Sequence, residues 1–200
     1  MNKRRLTVIG ITGGIASGKS TLLGYFQSAG VPGIDCDRIV HQMLRRGTRV
    51  YSEIVAVFGE GYLDRRGELD RRRLGRTVFS DRSARRKLER IVHPAVFASI
   101  ARQTVAYRRR GYRVIAVDIP LLFETRSARG VDVIAVAYVP RAVQVRRLRQ
   151  RGWTVSEALA RIRAQWSLDW KRRHADKVFD MRRSLRQIRW EVRQWVRKMK

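Results

Sequence analysis

The sequence predicts an α/β fold, a parallel sheet flanked by helices in three layers. Three observations predict it. The runs Leu6–Thr12, Val114–Val117 and Val131–Val139 are apolar without alternation, the pattern of strands buried on both faces. Segments of helical length and spacing separate them, the order that joins parallel strands by crossovers. A glycine-rich stretch, GGIASGKS from Gly13 to Ser20, stands between the first apolar run and the first helical segment.

The elements follow in order. Leu6–Thr12 is β-branched, apolar and followed by glycines, which makes it the first strand. Gly18–Ala29 is the helix after it. GVPGID, Gly30–Asp35, has turn residues around a short apolar pair and suits a brief second strand that delivers Asp35 and Asp37 to its C-terminal end. Arg38–Arg46 and Val50–Phe58 read as helices, and residues 59–70 as a turn-rich connection through Gly59, Gly61 and Gly67. Arg71–Phe79 and Ala84–Arg110 also read as helices. The latter is expected to be interrupted near His93-Pro94, because the residue before a proline is steered away from helical backbone. Val114–Val117 and Val131–Val139 are the next strands, Arg141–Arg151 is an arginine-rich helix, and Thr154 and Glu157 have capping-box spacing. Val178-Phe179 suits a last short strand. Leu185, Ile188, Val192, Trp195, Val196 and Met199 recur at helical spacing, giving the final helix an apolar face, with Trp190 and Trp195 expected in its packing. No repeat or low-complexity linker divides the chain, so residues 1–200 are expected to form one domain. Its long strandless stretch, about 38–110, reads as a helical subdomain inserted on the substrate side.

Composition bounds the function. A hydrophobic content of 44% with four prolines fits a globular protein, and a single cysteine, Cys36, excludes an internal disulfide. No stretch approaches the ~20 apolar residues of a membrane span. Lys3, Arg4 and Arg5 before Leu6–Ile11 imitate a signal peptide, but the run is too short and no small-residue cleavage site follows, so a cytoplasmic location is expected. The net charge of +28 calls for an anionic partner. Residues 141–200 carry 19 Lys/Arg against 5 Asp/Glu, half of that excess. No His/Cys cluster has metal-ligand spacing.

Gly13–Ser20 fits G-x-x-x-x-G-K-[ST], and it follows a strand and opens a helix as that motif requires. Glycines let successive backbone N–H groups turn toward phosphate oxygens, and the helix start adds its positive dipole end. The fold expected is therefore of the P-loop NTPase type. Gly14, Ala16, Ser17, Gly18, Lys19, Ser20 and Thr21 are expected to hold the phosphates of a nucleotide, which the resemblance given below makes ATP. Lys19 would reach the β- and γ-phosphates, Ser20 would offer its hydroxyl to Mg²⁺, and Thr21 would touch the α-phosphate. Kinases, GTPases and nucleic-acid-dependent ATPases share such a loop, although the N-K-x-D segment of guanine readers is missing. Asp35 and Asp37 follow the second strand, where the spacing leaves two roles open: accepting the proton of an attacking hydroxyl, or capping the next helix. Asp118, at the end of a strand, has the same two faces: ordering magnesium-bound water, or a cap before Pro120.

Together these stretches resemble the dephospho-coenzyme A kinase family over nearly the whole chain. TGGIASGKS, GVPGIDCDRIVHQML, LDRRRLGRTVFSD, IVHP at Ile91–Pro94, DIPLLFE at Asp118–Glu124 and RAQWSLDWKRRHADKVFD occur in the family's order and spacing. The resemblance implies phosphorylation by ATP of the ribose 3′-hydroxyl of dephospho-coenzyme A. It implies Asp37 as catalytic base, and Thr12, Asp37, His93 and Pro120, Leu121 and Leu122 on the substrate side. It also implies a lid over about residues 141–170, with Arg147 catalytic and Arg147 and Arg151 on the ATP phosphates. Nucleic acid would then be an incidental partner of the basic charge; the competing class is a nucleic-acid-binding ATPase. Three positions depart from the family pattern. Ala16 replaces a loop glycine, which is harmless only at negative φ. Gly152 stands where Asp or Asn is usual. Met181 replaces the usual asparagine, and with it an expected adenine contact. Trp153, Trp166 and Trp170 are expected to pack the lid or meet adenine, and His41 and His174 to lie on the surface.

Overall fold

The computed structural model describes residues 6–125 and 127–199; Lys3, Arg4 and Arg5 lie outside the described residues. The chain divides into two compact units, residues 1–35 with 104–200, and residues 36–103.

The first unit is built on a five-stranded parallel sheet flanked by helices, in the order β2-β3-β1-β4-β5. The strands are β1 (Thr7–Gly13), β2 (Gly33–Asp35), β3 (Val114–Asp118), β4 (Val133–Tyr138) and β5 (Lys177–Asp180). β1 is central: Ile9 pairs with Ala116 on one side and Val133 on the other. Every residue of β3 is buried, as an apolar run without alternation demands. α1 (Lys19–Ser28) and α9 (Leu185–Arg197) share one core with the sheet. Leu22, Leu23 and Phe26 of α1 meet Ile188, Val192 and Val196 of α9 over Phe179 of β5. Phe26 lies edge-on to Phe179 and to Trp195, each at 5.9 Å. α6 (Arg141–Arg149), α7 (Val155–Arg163) and α8 (Leu168–Arg173) lie between β4 and β5. The Thr154 capping box forms, with its hydroxyl accepting from the Glu157 N–H and the Glu157 carboxylate accepting from the Thr154 N–H. Those bonds hold the Glu157 carboxyl below its usual range.

The second unit is helical. It holds α2 (Cys36–Met43), α3 (Arg49–Phe58), α4 (Arg71–Ser80) and most of α5 (Arg82–Arg109). Thr48 caps α3 by accepting from Tyr51 N–H, and Asp70 caps α4 by accepting from Arg72 and Arg73 N–H. The turn-rich connection is ordered by the Tyr51 hydroxyl, which donates to Gly67 O at 2.6 Å, and by a short bridge between Leu63 and Leu69. His41 is exposed and bonded to Arg71, and His174 is exposed in the first unit.

Three expectations are corrected. α5 runs unbroken through Pro94. A 28-residue helix keeps its remaining hydrogen bonds when one proline forfeits its bond to the carbonyl of Arg90. Trp190 is 64% exposed, because two residues from Ile188 and two from Val192 is the opposite side of a helix. Leu185, 65% exposed, begins α9 beyond its buried stripe, whereas Trp195 and Met199 pack against the core as expected.

Candidate active site

β1 ends in the middle of the sheet, and residues 14–18 carry the chain from its C-terminal edge into α1. In parallel sheets that edge faces the ligand. Space is tight there. A Cβ on Gly13 would lie 2.7 Å from Ala137 O, and one on Gly14 would lie 2.4 Å from Gln144 Nε2. Gly18 has φ +99° and is the N-cap of α1, with no side chain capping it and no acid in the first turn. The start of α1 thus keeps its positive character for an anion.

The carbonyls of the loop are tied from outside. Gly13 O accepts from Lys171 Nζ at 3.3 Å, and Ile15 O from Gln144 Nε2 at 2.7 Å. Ala16 O and Ser17 O accept from Arg147 Nη1 at 3.1 and 3.3 Å. In a trans peptide the N–H points opposite to its C=O. Holding these carbonyls therefore turns the N–H groups of Gly14, Ala16 and Gly18 away from the side chains that hold them, the arrangement an anion nest needs. Ile15 N–H is itself held by Gln165 Oε1 at 2.8 Å, and Lys19 Nζ lies 3.4 Å from Gly14 O. Ser20 and Thr21 are exposed on the first turn of α1.

Lys171 is fully buried and pairs with Glu124 Oε1 at 2.7 Å. Burial pushes its ammonium below the usual lysine value, with Lys19 adding in the same direction and Glu124 opposing. The same Glu124 oxygen accepts from Trp166 N–H at 3.0 Å. At the neighbouring strand ends Asp35 stands in register with Asp118, which is buried. Asp37 lies two residues beyond Asp35, exposed in the first turn of α2. In the second unit His93 is half-buried, edge-on to Phe97 at 6.1 Å, and lines a cavity with Arg86, Glu89, Arg90 and Pro94.

The other predicted site residues differ in exposure. Thr12 is fully buried and its hydroxyl donates to Pro120 O at 3.2 Å, which ties the segment after β3 to β1. Leu122 is fully buried core, while Leu121 is exposed. The Ser17 side chain is buried. The Arg147 guanidinium grips the loop and donates from Nη2 to Met181 O at 3.0 Å, so it shapes the loop from outside. Arg151 is exposed beyond α6. Met181 is buried, its methyl 3.3 Å from where a Gly18 Cβ would stand. Trp166 and Trp170 meet edge-on at 4.8 Å, and Trp153 lies beneath Arg161 at 3.7 Å.

Ala16 has φ +57°, so the condition for a harmless alanine fails. A left-handed non-glycine residue costs about 1–2 kcal/mol, and glycine returns about 0.4–1 kcal/mol of that to the unfolded chain. Ala16→Gly is therefore expected to raise stability by about 0.5–1 kcal/mol, seen as a higher Tm. A lower Tm would refute the strain.

Gln144, Gln165 and Lys171 carry much of the loop geometry and were not singled out by sequence reasoning. The segment RAQWSLDWK contains two of them, yet nothing in spacing separates Lys171 from 18 other basic residues in 141–200.

A sequence model of the dephospho-CoA kinase family matches residues 7–187. A dephospho-CoA kinase from Symbiobacterium thermophilum is 47% identical over 188 residues, covering 94% of this chain and 79% of that protein. A crystal structure from Thermus thermophilus is 31% identical with a TM-score of 0.85, over 98% of this chain and 99% of that one. A dephospho-CoA kinase structure from Campylobacter jejuni is 27% identical with a TM-score of 0.69, over 96% of each chain. With the glycine loop built as above and the match spanning both units, the chain belongs to the dephospho-CoA kinase family.

Proposed function

We propose that this chain transfers the γ-phosphoryl group of ATP to the ribose 3′-hydroxyl of dephospho-CoA, giving coenzyme A and ADP. Within this family, the observation that carries the reading is the glycine loop at the end of the central strand, its carbonyls drawn outward by Lys171, Gln144 and Arg147. The N–H groups of Gly14, Ala16 and Gly18, with Lys19, hold the polyphosphate, and Thr21 the α-phosphate. Asp37 takes the proton of the 3′-hydroxyl as the oxygen–phosphorus bond forms and the bond from the γ-phosphorus to the bridging oxygen breaks. Arg147 acts through the loop it shapes, and Arg151 approaches the phosphates from beyond α6. His93, Pro120 and Leu121 belong to the acceptor side.

Ser20 would offer its hydroxyl to Mg²⁺, and Asp118 would act on the ion through ordered water. A hydroxyl and a carboxylate are hard oxygen donors, and phosphate oxygens complete such a site. Among the described residues no three His, Cys, Asp or Glu groups gather to hold a metal ion. The ion would neutralise charge on the transferring phosphoryl group. A cytoplasmic location fits this reaction, and no described helix is long and apolar enough to cross a membrane. The +28 charge draws polyanionic substrates, with nucleic acid incidental.

Incubation with Mg-ATP and a panel of acceptors, read by mass spectrometry, tests the proposal. Dephospho-CoA is expected to gain one phosphate at the 3′ position, while single-stranded RNA leaves ATP hydrolysis unchanged. Hydrolysis stimulated by RNA with no phosphorylated acceptor would overturn it.

A further inference from the structure

We infer that Lys171 and Glu124 are positioning residues that preset the glycine loop for polyphosphate, acting through the Gly13 carbonyl. The inference rests on the kinase reading above and deepens it.

A fully buried lysine needs a reason. Desolvating an ammonium is costly, and a buried pair is often no more stabilising than apolar residues of the same size. Lys171 is therefore poorly explained as a device for stability. Its geometry supplies another purpose. From α8 the Nζ reaches Glu124, in the segment after β3, at 2.7 Å, and the last carbonyl of β1, Gly13 O, at 3.3 Å. That carbonyl belongs to the peptide that carries the Gly14 N–H, so its direction sets the direction of the first amide of the cradle. A positive charge behind the peptide also polarises it, strengthening that N–H as a donor.

Glu124 fixes the lysine. One oxygen takes both the ammonium and the Trp166 N–H. Aromatic contacts lock the two segments together: Trp170 of α8 lies edge-on to Phe123 at 5.2 Å and to Trp166 at 4.8 Å, and stacks on His174 at 3.7 Å. Gln165, from the same turn before α8, holds Ile15 N–H, so one segment governs two peptides of the loop. Lys171 is thus a second loop lysine, behind the backbone, where Lys19 serves the phosphate side.

Three variants test this: Lys171→Met, Glu124→Gln, and the two combined. Each is measured for Tm, for ADP and inorganic tripolyphosphate binding by calorimetry, and for the KM of each substrate. Lys171→Met alone strands a buried carboxylate and is expected to lower Tm most. The double variant removes both charges yet keeps an acceptor for Trp166 N–H, so its Tm should recover toward wild type. Its affinity for ADP and tripolyphosphate should stay weakened by about 10- to 100-fold, the worth of one hydrogen bond to a charged group. KM for ATP should rise while KM for dephospho-CoA is unchanged. Wild-type affinity in a double variant with recovered Tm would show a purely structural pair and overturn the inference. If the double variant does not recover, Glu124→Gln alone decides: weakened tripolyphosphate binding at unchanged acceptor KM supports the inference, and unchanged binding overturns it. Failure of the kinase reading is separately visible, as wild-type protein that neither binds ADP nor phosphorylates dephospho-CoA.

Discussion

Asp37→Asn is expected to lower kcat by about 10²- to 10⁴-fold, the range that positioned proton transfer contributes, with affinity for ATP unchanged. The amide keeps the shape of the carboxylate but cannot take the proton. The competing role is capping. Asp37 lies in the first turn of α2, where a negative charge favours the helix N-terminus by about 0.3–1 kcal/mol. A residue of that kind would give Asp37→Asn a small fall in Tm and intact turnover, and that pair of results would remove Asp37 from the chemistry. Asp35→Asn is the control. Asp35 stands on the sheet beside Asp118, so its loss tests whether any carboxylate at this edge suffices.

Gly13→Ala is expected to abolish detectable ATP binding and to destabilise the protein by about 1–3 kcal/mol, the usual cost of overpacking. The added methyl would stand 2.5 Å from Ser17 Oγ and 2.7 Å from Ala137 O. The hydroxyl can rotate. The carbonyl cannot move freely, because Gly13 and Ala137 are partners in the central β1–β4 ladder. The strain therefore falls on the peptide whose carbonyl Lys171 holds, and it tilts the Gly14 N–H. Gly24→Ala, in α1 with nothing within 4 Å of the new carbon, should instead gain about 0.5–1 kcal/mol. Nucleotide titration and thermal denaturation of both variants read the contrast. An alanine at position 13 that binds ATP like wild type would mean that the loop is not held where it stands.

The elements of the fold were legible where a local pattern has one physical solution. Unalternating apolar runs gave β1, β3 and β4, since only strands covered on both faces carry them. The turn-flanked pair before Asp35 gave β2, and the Thr154–Glu157 spacing gave a formed capping box. The proline rule misplaced a break in α5, because a local preference yields to the cooperativity of a long helix. Helical spacing counted Leu185 as buried, because spacing assigns a face but not how far a neighbour extends along it. In the site, the glycine-lysine motif was legible because its chemistry is written in consecutive residues. The backbone sign at Ala16 was not, since it depends on which way the loop closes.

By itself, then, the sequence determined a parallel α/β sheet, a phosphate-binding loop after its first strand, and the family whose ordered motifs it shares. Those follow from contacts between residues near one another in the chain, or from the order of short segments. Only the tertiary structure decided what stands behind the loop. Lys171 lies 158 residues from the carbonyl it holds, Gln144 129 and Arg147 131. A lysine beside two arginines looks like any solvated cation until the chain folds and removes its water, leaving Glu124 and one backbone carbonyl as its partners.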